Sequence, residues 1–381
     1  MTLPDSHPNR DLAVGPQRRP FWNTAPERRR GFHNLQTVLR YTQSYRAARV
    51  LELSLAADLS IAQRPDVAQL TASPWFSAMV VARGNTVLFE RYAPDFRPDQ
   101  PHSIMSISKT TMLLEIGRLW ETGLVAMEER VGDILPWIGP GYAGASVQDV
   151  LNMNVLNDYT EDYSDPQSRV YEHEAASGAR LPPDGVPEPM ARGFLTGIGL
   201  APGAADCVNR TGVAMYRSAN TDVLAEIAQA RGQRRLGLVL ADLADAAGFE
   251  GVLHVACDRS GFPAVNGGVC LTARDLARHG LLIARGGVGV DGSVVGSQAF
   301  LQATLEGGVT MPAPRDHLRY SNHTNTDGRW LGHGGYGGQY MVVDLTSGTV
   351  ALYLSVLQDA HGYDPDWYPP IIGMLTGIAC R

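Results

Sequence analysis

Two residues near the end of the first third of the chain could attack a carbonyl compound. In residues 102–109, HSIMSISK, Ser106 and Lys109 stand three positions apart. On a helix, side chains at this spacing share a face, with Cβ atoms about 5–6 Å apart. The lysine amine can therefore hydrogen-bond the serine hydroxyl and, when uncharged, accept its proton. The pair predicts nucleophilic catalysis through an acyl-enzyme.

Lys109 is the only lysine of the chain, since the other 31 of the 32 basic residues are arginine. A GC-rich genome drives lysine towards arginine, which explains the depletion but not the single lysine that remains. Arginine stays protonated because its pKa lies above about 12, whereas a desolvated lysine loses its proton readily. Position 109 is therefore expected to need an amine that can be neutral, as a base or a Schiff-base former does.

A tyrosine and a glycine-rich stretch are the further candidates. Tyr216, in the sequence Tyr216-Arg217-Ser218, could pass a proton to a leaving group if a nearby ammonium lowers its pKa. Residues 332–338 hold five glycines in seven positions and lead into a predicted strand. Glycine permits close backbone approach to a ligand, so we expect this stretch to line the substrate. His333 within it is expected to be structural.

The elements that must position these residues follow from hydrophobic patterning. Residues 76–92 and 339–356 each contain two β-rich runs around a short turn, which predicts two antiparallel hairpins. The hairpins are far apart in the chain but are expected to share one sheet. Apolar residues at helical spacing after Ser106 predict a helix that begins near it.

These elements predict an α/β (α+β) fold with an antiparallel sheet built from both chain ends and flanked by helices. The predicted organisation has three parts: an irregular N-terminal arm, residues 1–30; a sheet domain, residues 31–120 and 256–381; and a helical and loop-rich insert, residues 121–255. The active site is expected between the sheet domain and the insert.

Composition and charge exclude several classes of protein. The net charge of −7 argues against a nucleic-acid binder, which needs a basic face. No apolar run reaches the ~18 residues of a membrane span, and no apolar stretch follows Arg18-Arg19 as an export signal requires. The four cysteines lack metal-ligand spacing and are typical of a reducing cytoplasm. The basic cluster 28–30 is expected to be a solvated, frayed segment.

The candidate stretches, in this order and spacing, resemble the serine β-lactamase, penicillin-recognising superfamily, which includes class C β-lactamases, D-alanyl-D-alanine peptidases and family VIII esterases. The sequence is more similar still to the 6-aminohexanoate-dimer (nylon-oligomer) hydrolases of that superfamily. The stretches that carry the resemblance are MSISK (105–109), VLNMNVLNDYTEDYSDP (150–166), YRSANTDVLA (216–225), NGGVCLTARDLAR (266–278) and GGQYMVVD (337–344).

The resemblance implies a β-lactamase/transpeptidase-like fold and a role for each matching residue. Ser106 would be the nucleophile, and Lys109 with Tyr216 the general acid–base pair. The backbone N–H groups of Ser106 and Tyr336 would form the oxyanion hole. The reaction would need neither a metal nor another cofactor.

Four further residues match substrate-side positions of that family. Tyr163 matches a mobile tyrosine that closes over the amide, and Glu174 falls where those enzymes have an aspartate that attracts an ammonium group. Ser218 and Asn266 complete the substrate-binding set. Gly337 stands where the nearest relatives have histidine, and the lysine of the K-T-G motif is missing, which argues against efficient β-lactamase action.

The resemblance implies a small amide or ester as the partner, without nucleic acid or membrane, and leaves a homodimer open. A short-chain carboxylesterase or acyltransferase of the same fold is the alternative. A non-catalytic ligand-binding relative is disfavoured because Ser106, Lys109 and Tyr216 are all present. A metal-dependent hydrolase is disfavoured because the ten histidines show no H-x-H or H-E-x-x-H spacing.

Overall fold

The computed structural model describes residues 21–25 and 27–381. In these ranges the strands are β1 Thr42–Tyr45, β2 Ser54–Leu55, β3 Phe76–Arg83, β4 Thr86–Tyr92, β5 His102–Ser103, β6 Leu253–Ala256, β7 Val269–Leu271, β8 Val309–Thr310, β9 Arg319–Ser321, β10 Thr324–Thr326, β11 Leu331–Gly335, β12 Gln339–Asp344 and β13 Thr349–Ser355.

The α-helices of the same ranges are α1 Arg28–Phe32, α2 Leu35–Val38, α3 Leu59–Ala62, α4 Pro65–Thr71, α5 Thr110–Glu121, α6 Val131–Ile134, α7 Pro140–Ala143, α8 Val147–Leu151, α9 Val170–Ala176, α10 Ala191–Thr196, α11 Ala219–Gly232, α12 Leu236–Ala247, α13 Ala273–Ala284, α14 Gln298–Glu306 and α15 Tyr368–Ala379. Two 3₁₀ helices, Met105–Lys109 and Pro365–Trp367, precede α5 and α15.

The larger sheet joins the two ends of the chain. Its nine strands run in the order β2-β4-β3-β13-β12-β11-β10-β9-β8. The two predicted hairpins, β3–β4 and β12–β13, meet where β3 pairs antiparallel with β13, with Val80 opposite Leu352. Both central strands are apolar along nearly their whole length, which is the pattern of strands buried on both faces. The expected α/β fold class is confirmed.

Helices cover the two faces of this sheet. A Cβ atom at Gly280 of α13 would lie 2.5 Å from Val350 Cγ1, so α13 packs closely on the face that carries Val350. The Tyr353 hydroxyl donates to the carbonyl of Leu70 in α4 over 2.8 Å. Because residues an odd number of positions apart point to opposite faces of a strand, α4 covers the other face. Helix α15 packs against α4 and β13.

A smaller four-stranded sheet, in the order β1-β6-β7-β5, leads the chain to Ser106. Strand β5 pairs antiparallel with β7, and Ile104 N–H donates to the Val269 carbonyl over 3.0 Å. The chain then turns through Met105, whose φ of 46° is left-handed, into the 3₁₀ helix that carries Ser106. Residues 121–255 contribute helices α6 to α12 and the start of β6. The proposed domain division stays a prediction.

The basic cluster near the N-terminus is not a frayed segment, and that expectation is wrong. Arg28 begins α1 and is 1% exposed, and its guanidinium donates to the carbonyls of Leu357 and Asp359. Arg29 forms an ion pair with Asp95. The carbonyls that bind Arg28 belong to the other end of the chain, so the local sequence does not indicate them.

The Arg18-Arg19 pair lies outside the described residues. No helix in the described ranges is long and apolar enough to cross a membrane.

Candidate active site

Ser106 and Lys109 are aligned by the helix that carries them. Both lie in the 3₁₀ helix Met105–Lys109, which has three residues per turn, so side chains three positions apart stack along its axis. Lys109 Nζ lies 2.9 Å from Ser106 Oγ. Lys109 is fully buried, whereas Ser106 opens into a cleft. The structure therefore brings the hydroxyl and the amine together where a substrate can reach only the hydroxyl.

Burial makes the Lys109 amine easier to deprotonate. Desolvation lowers the pKa of Lys109 from 10.5 to about 8, although the negative charges of Glu161 and Asp222 act in the opposite direction. A lysine with a pKa near 8 has a substantial neutral fraction close to physiological pH, whereas an arginine at this position would not. This agrees with the survival of a single lysine in the sequence.

The hydrogen bonds around Lys109 leave the lone pair of a neutral amine facing Ser106. The amine contacts three oxygens: Ser106 Oγ at 2.9 Å, Ser218 Oγ at 3.0 Å and the Asn266 carbonyl. The carbonyl can only accept. The Ser218 hydroxyl donates to Glu161 Oε1 over 2.7 Å and so must accept from Lys109. A neutral amine has two hydrogens, and these two acceptors use both of them.

Glu161 is a site residue that the sequence reasoning missed. Its two carboxylate oxygens accept from the Ser218 backbone N–H at 2.6 Å and from the Ser218 hydroxyl at 2.7 Å. Ser218 is the N-cap of α11, where the helix dipole favours a negative charge. Within residues 159–163 the sequence resemblance assigns a role only to Tyr163, although the carboxylate two positions earlier is a usable signal.

Asp222, Asn266 and His173 form a buried polar layer behind the lysine. Asn266 Nδ2 lies 3.0 Å from both carboxylate oxygens of Asp222, and His173 Nε2 lies 2.7 Å from Asp222 Oδ2. The Tyr159 hydroxyl lies 3.1 Å from His173 Nδ1, which fits the tautomer with its proton on Nε2. The predicted substrate residue Asn266 thus faces this layer with its side chain, and its carbonyl holds Lys109.

Tyr216 lies beside the pair, but its pKa moves opposite to the expectation. Its hydroxyl lies near those of Ser106 and Ser218, and its ring centroid lies 5.2 Å from Lys109 Nζ. Burial nevertheless raises the pKa of Tyr216 well above 10, with the Glu161 charge adding to the rise. The expected lowering by an ammonium is wrong, because desolvation and a carboxylate outweigh it. Tyr216 therefore keeps its proton in the resting enzyme and is equipped to donate it.

The glycine-rich strand end lies against the segment that carries Ser106. A Cβ atom at Gly335 would lie 2.7 Å from the Ile104 carbonyl oxygen, so only glycine allows this approach. Ser106 lies two positions after Ile104, and Tyr336 directly follows Gly335. Both residues line the same cleft. Among the described residues, neither of their backbone N–H groups donates to a backbone carbonyl. Two such amides are the donors that an oxyanion hole requires.

The cleft extends to two sides of Ser106. The arm-side pocket has walls from the N-terminal segment and α9, including Trp22, Leu35, Leu39, His173 and Glu174. The tyrosine-side pocket is lined by Tyr216, Tyr320, His333, Tyr363, Tyr368 and Arg315, among others. Three residues line both pockets and so mark where they meet: Ser106, Tyr163 and Tyr336.

The predicted substrate residues take different positions in this cleft. The Tyr163 ring lies 4.8 Å from that of Tyr336, directly at the junction of the two pockets. Glu174 lies in the arm-side pocket, but Arg180 Nε donates to its carboxylate over 2.9 Å. Burial raises the pKa of Glu174 against the opposing effect of Arg180. His333 is expected to be structural. Its Nε2 atom lies 3.0 Å from the Tyr320 hydroxyl oxygen, and burial lowers the pKa of His333 well below 6.5.

The N-terminal segment occupies the space beside Gly337. A Cβ atom at Gly337 would lie 2.6 Å from Phe32 Cε1, and the φ of Gly337 is +93°. A histidine side chain at this position would overlap the Phe32 ring. Gly337 is therefore bordered by an aromatic side chain supplied by α1.

Comparison with known proteins agrees with this geometry. The Beta-lactamase family matches residues 66–371. The chain is 35% identical over 308 residues to the 6-aminohexanoate-dimer hydrolase of Paenarthrobacter ureafaciens. The aligned region covers 79% of this chain and 76% of that protein.

Two solved structures show the same fold. One is a Bacillus anthracis protein provisionally named 6-aminohexanoate-dimer hydrolase, with a TM-score of 0.80, 17% identity and 98% of both chains covered. The other is EstCE1, a hydrolase with promiscuous acyltransferase activity, with a TM-score of 0.57, 14% identity, and 83% of this chain and 97% of that one covered. With the family match and the curated relative, they lead to one conclusion: the chain belongs to the β-lactamase family and is a serine hydrolase of the β-lactamase/transpeptidase-like fold.

Proposed function

We propose that this enzyme hydrolyses linear amides of small molecules, and the corresponding esters, through an acyl-enzyme on Ser106. The observation that carries the proposal is the arrangement of hydrogens around Lys109. Two acceptors hold the amine so that its lone pair faces Ser106 Oγ at 2.9 Å. That orientation is what a general base needs before the nucleophile attacks.

In the first half-reaction, Ser106 Oγ bonds to the carbonyl carbon while its proton passes to Lys109. The carbonyl oxygen becomes an oxyanion, which the N–H groups of Ser106 and Tyr336 stabilise; one such donor is typically worth about 10²–10³ in rate. The bond from carbon to the leaving nitrogen then breaks, and Tyr216 gives that nitrogen its phenolic proton. Tyr216 regains a proton from the Lys109 ammonium through the hydroxyls that both residues contact.

In the second half-reaction, water replaces the amine. Its oxygen attacks the acyl carbon and its proton passes to the Lys109–Tyr216 pair. The bond from carbon to Ser106 Oγ then breaks, and the pair returns a proton to Ser106 Oγ, which restores the hydroxyl. Asn266, Ser218 and Glu161 act by holding Lys109 rather than by touching the reacting atoms.

The substrate class follows from the relative and from the cleft. The Paenarthrobacter ureafaciens enzyme is named for the 6-aminohexanoate dimer, a linear amide. Glu174 in the arm-side pocket supports an acyl group that ends in an ammonium, although Arg180 partly neutralises it.

A carboxylesterase or acyltransferase role is the second candidate. It is supported by the half-buried Ser106, whose hydroxyl faces the cleft beside an amine of lowered pKa. This pair suffices for esters, because an alkoxide leaves more readily than an amide nitrogen. The ratio of amide to ester kcat/KM on the purified enzyme distinguishes the two roles.

Trapping of the acyl-enzyme tests the proposal. Intact-mass spectrometry after exposure to p-nitrophenyl acetate and to linear amides should show one added acyl group, located by peptide mapping to Ser106. The Ser106→Ala enzyme should show none. Ser108→Ala should keep the adduct, because the Ser108 hydroxyl donates to the carbonyls of Met105 and Val265 instead of facing the cleft. An adduct on another residue, or its persistence in Ser106→Ala, would refute the proposal.

A cytoplasmic location is part of the proposal. It is supported by four free cysteines, three of them buried, which suit a reducing compartment. The partner is the small-molecule substrate itself, and a homodimer stays a prediction that sedimentation velocity can check.

A further inference from the structure

The N-terminal segment supplies one wall of the arm-side pocket. Trp22, Leu35 and Leu39, from residues 21–39, line this pocket together with Glu174 of α9 and Ala179 just after that helix. The pocket is therefore formed by two segments that lie far apart in the chain. Its size depends on how closely these segments approach each other.

Trp22 joins the two segments. Its indole N–H donates to the Ala179 carbonyl over 2.9 Å, and the residue is only 9% exposed. The indole nitrogen is the one polar atom of a tryptophan side chain, so the rest of the ring presents carbon to the pocket. The ring therefore closes the gap between the N-terminal segment and the turn after α9.

Contacts with α1 hold Trp22 in place. The Arg28 guanidinium donates to the side-chain oxygen and to the carbonyl of Asn23, at 2.9 and 3.1 Å. A Cβ atom at Gly31 would overlap the Trp22 carbonyl oxygen, so α1 packs directly on the Trp22 backbone. The Phe32 ring centroid lies 6.0 Å from that of Trp22. Trp22 cannot move aside without breaking these contacts.

Space in the arm-side pocket is limited. Its volume is about 70 Å³, against about 460 Å³ for the tyrosine-side pocket. Because a single water needs about 10–15 Å³ of cavity, the arm-side pocket has room for roughly five to seven non-hydrogen atoms. A hexanoyl group, with five carbons beyond its carbonyl, fits this space, whereas a decanoyl group exceeds it.

The arm-side pocket is the one that receives the acyl group. Tyr216, which gives its proton to the departing nitrogen, lines the tyrosine-side pocket and not the arm-side pocket. Ser106 lines both, so the two halves of a linear amide extend from it into different pockets. The acyl chain then points towards the wall that Trp22 completes.

We propose that Trp22 sets the longest acyl chain that the enzyme accepts, by closing the arm-side pocket at its hydrogen bond to Ala179. This rests on the proposed function and adds a limit on the acyl half of the substrate. Trp22 acts through the shape of the pocket and takes no part in bond breaking.

Two p-nitrophenyl esters test this inference, the hexanoate and the decanoate. Their acyl chains are uncharged, so the comparison does not involve the charge of Glu174. We expect kcat/KM to be at least about tenfold higher for the hexanoate, since a chain too long for a rigid pocket forces side chains out of position. Trp22→Ala should reduce this ratio at least about fivefold by raising the decanoate rate relative to the hexanoate rate. Trp22→Phe, which keeps a smaller aromatic ring, should give an intermediate ratio.

The ratio of two rates on one preparation does not depend on the fraction of enzyme that is folded. A variant that only folds poorly therefore lowers both rates and leaves the ratio unchanged. The matched control is Trp137→Ala, because Trp137 is half-buried, stacks on Arg192 at 4.2 Å and lies outside both pockets. It should keep the parent ratio. Equal rates for the two esters in the parent enzyme, or an unchanged ratio in Trp22→Ala, would overturn the inference while leaving the proposed function intact.

A binding measurement makes the inference independent of catalysis. In calorimetry on the Ser106→Ala enzyme, decanamide should bind no more tightly than hexanamide despite its four additional methylenes. Adding Trp22→Ala should strengthen decanamide binding at least about fivefold relative to hexanamide. If no amide or ester acylates Ser106, the proposed function fails, and this titration still decides the role of Trp22. The absence of any relative gain for decanamide would overturn it.

Discussion

The Ser218 hydroxyl donates to Glu161 Oε1 over 2.7 Å, and this bond determines the direction of the hydrogen bond between Ser218 and Lys109. Because the Ser218 proton is committed to Glu161, Ser218 can only accept from the amine. The lone pair of a neutral Lys109 is then left for Ser106. A carboxylate that contacts Ser218 rather than Lys109 thus orients the base.

The Glu161→Gln enzyme should lose about tenfold to a hundredfold in kcat, since a charged hydrogen bond is worth about 1.5–3 kcal/mol. An amide side chain has one acceptor oxygen for two Ser218 donors, so the Ser218 hydroxyl can turn towards Lys109. Glu161 also raises the pKa of Lys109, so the acid limb of the pH profile should move to lower pH. Steady-state kinetics as a function of pH measures both effects.

The control for Glu161→Gln is Glu172→Gln, an exposed glutamate outside the cleft. It should leave rate and profile unchanged. A loss of rate in Glu161→Gln without any displacement of the acid limb would count against the positioning role.

Hydrolysis of an uncharged ester should rise with pH and level off above about pH 8. Burial lowers the pKa of Lys109 to about 8, and only the neutral amine can accept the Ser106 proton. Raising the pH increases the neutral fraction, so kcat/KM increases through this range. Stopped-flow or steady-state rates with p-nitrophenyl acetate from pH 6 to 10 check this, and a rate that falls across the range would exclude Lys109 as the base.

The Lys109→Arg enzyme should be inactive although it keeps the positive charge. Arginine cannot become neutral in this range, and general acid–base transfer contributes about 10²–10⁴ in rate. Acyl-enzyme formation by mass spectrometry gives the readout, and far-ultraviolet circular dichroism shows whether the protein is folded. Lys109→Met, which is smaller and uncharged, provides a second inactive variant that fits the buried site.

The Tyr163→Phe enzyme should hydrolyse amides more slowly while p-nitrophenyl esters are nearly unaffected. An amide nitrogen needs a proton before it leaves, whereas p-nitrophenolate does not, so a residue that closes over the amide matters only for the former. We expect a loss of about tenfold or more for amides and under about twofold for esters. Tyr41→Phe, outside the cleft, is the control, and equal losses on both substrates would remove this role from Tyr163.

A Gly337→Ala substitution should destabilise the fold by about 2–4 kcal/mol, from backbone strain and overlap with Phe32. Gly348→Ala isolates the strain, because Gly348 has a φ of +68° and no atom within 4 Å of its Cβ position. It should cost about 1–2 kcal/mol. Chemical denaturation measures both. The double variant with Phe32→Ala should cost less than the sum of the single variants if the two positions collide.

The sequence by itself determined the reacting pair. The spacing of Ser106 and Lys109 fixes their contact through helix geometry alone, and the single lysine indicated that this amine must become neutral. The two hairpins at opposite ends of the chain were also predictable, because strand alternation and turns are local signals. The pairing of β3 with β13 agreed with the shared sheet expected for them.

Only the tertiary structure decided how that pair is held and charged. The Asn266 carbonyl that holds Lys109 lies 157 residues away, and Glu161 lies 57 residues from Ser218. The pKa of Tyr216 moved opposite to the expectation for the same reason. Desolvation and charge are sums over every atom that packs around a group, and those atoms come from segments whose proximity no local pattern of residues encodes.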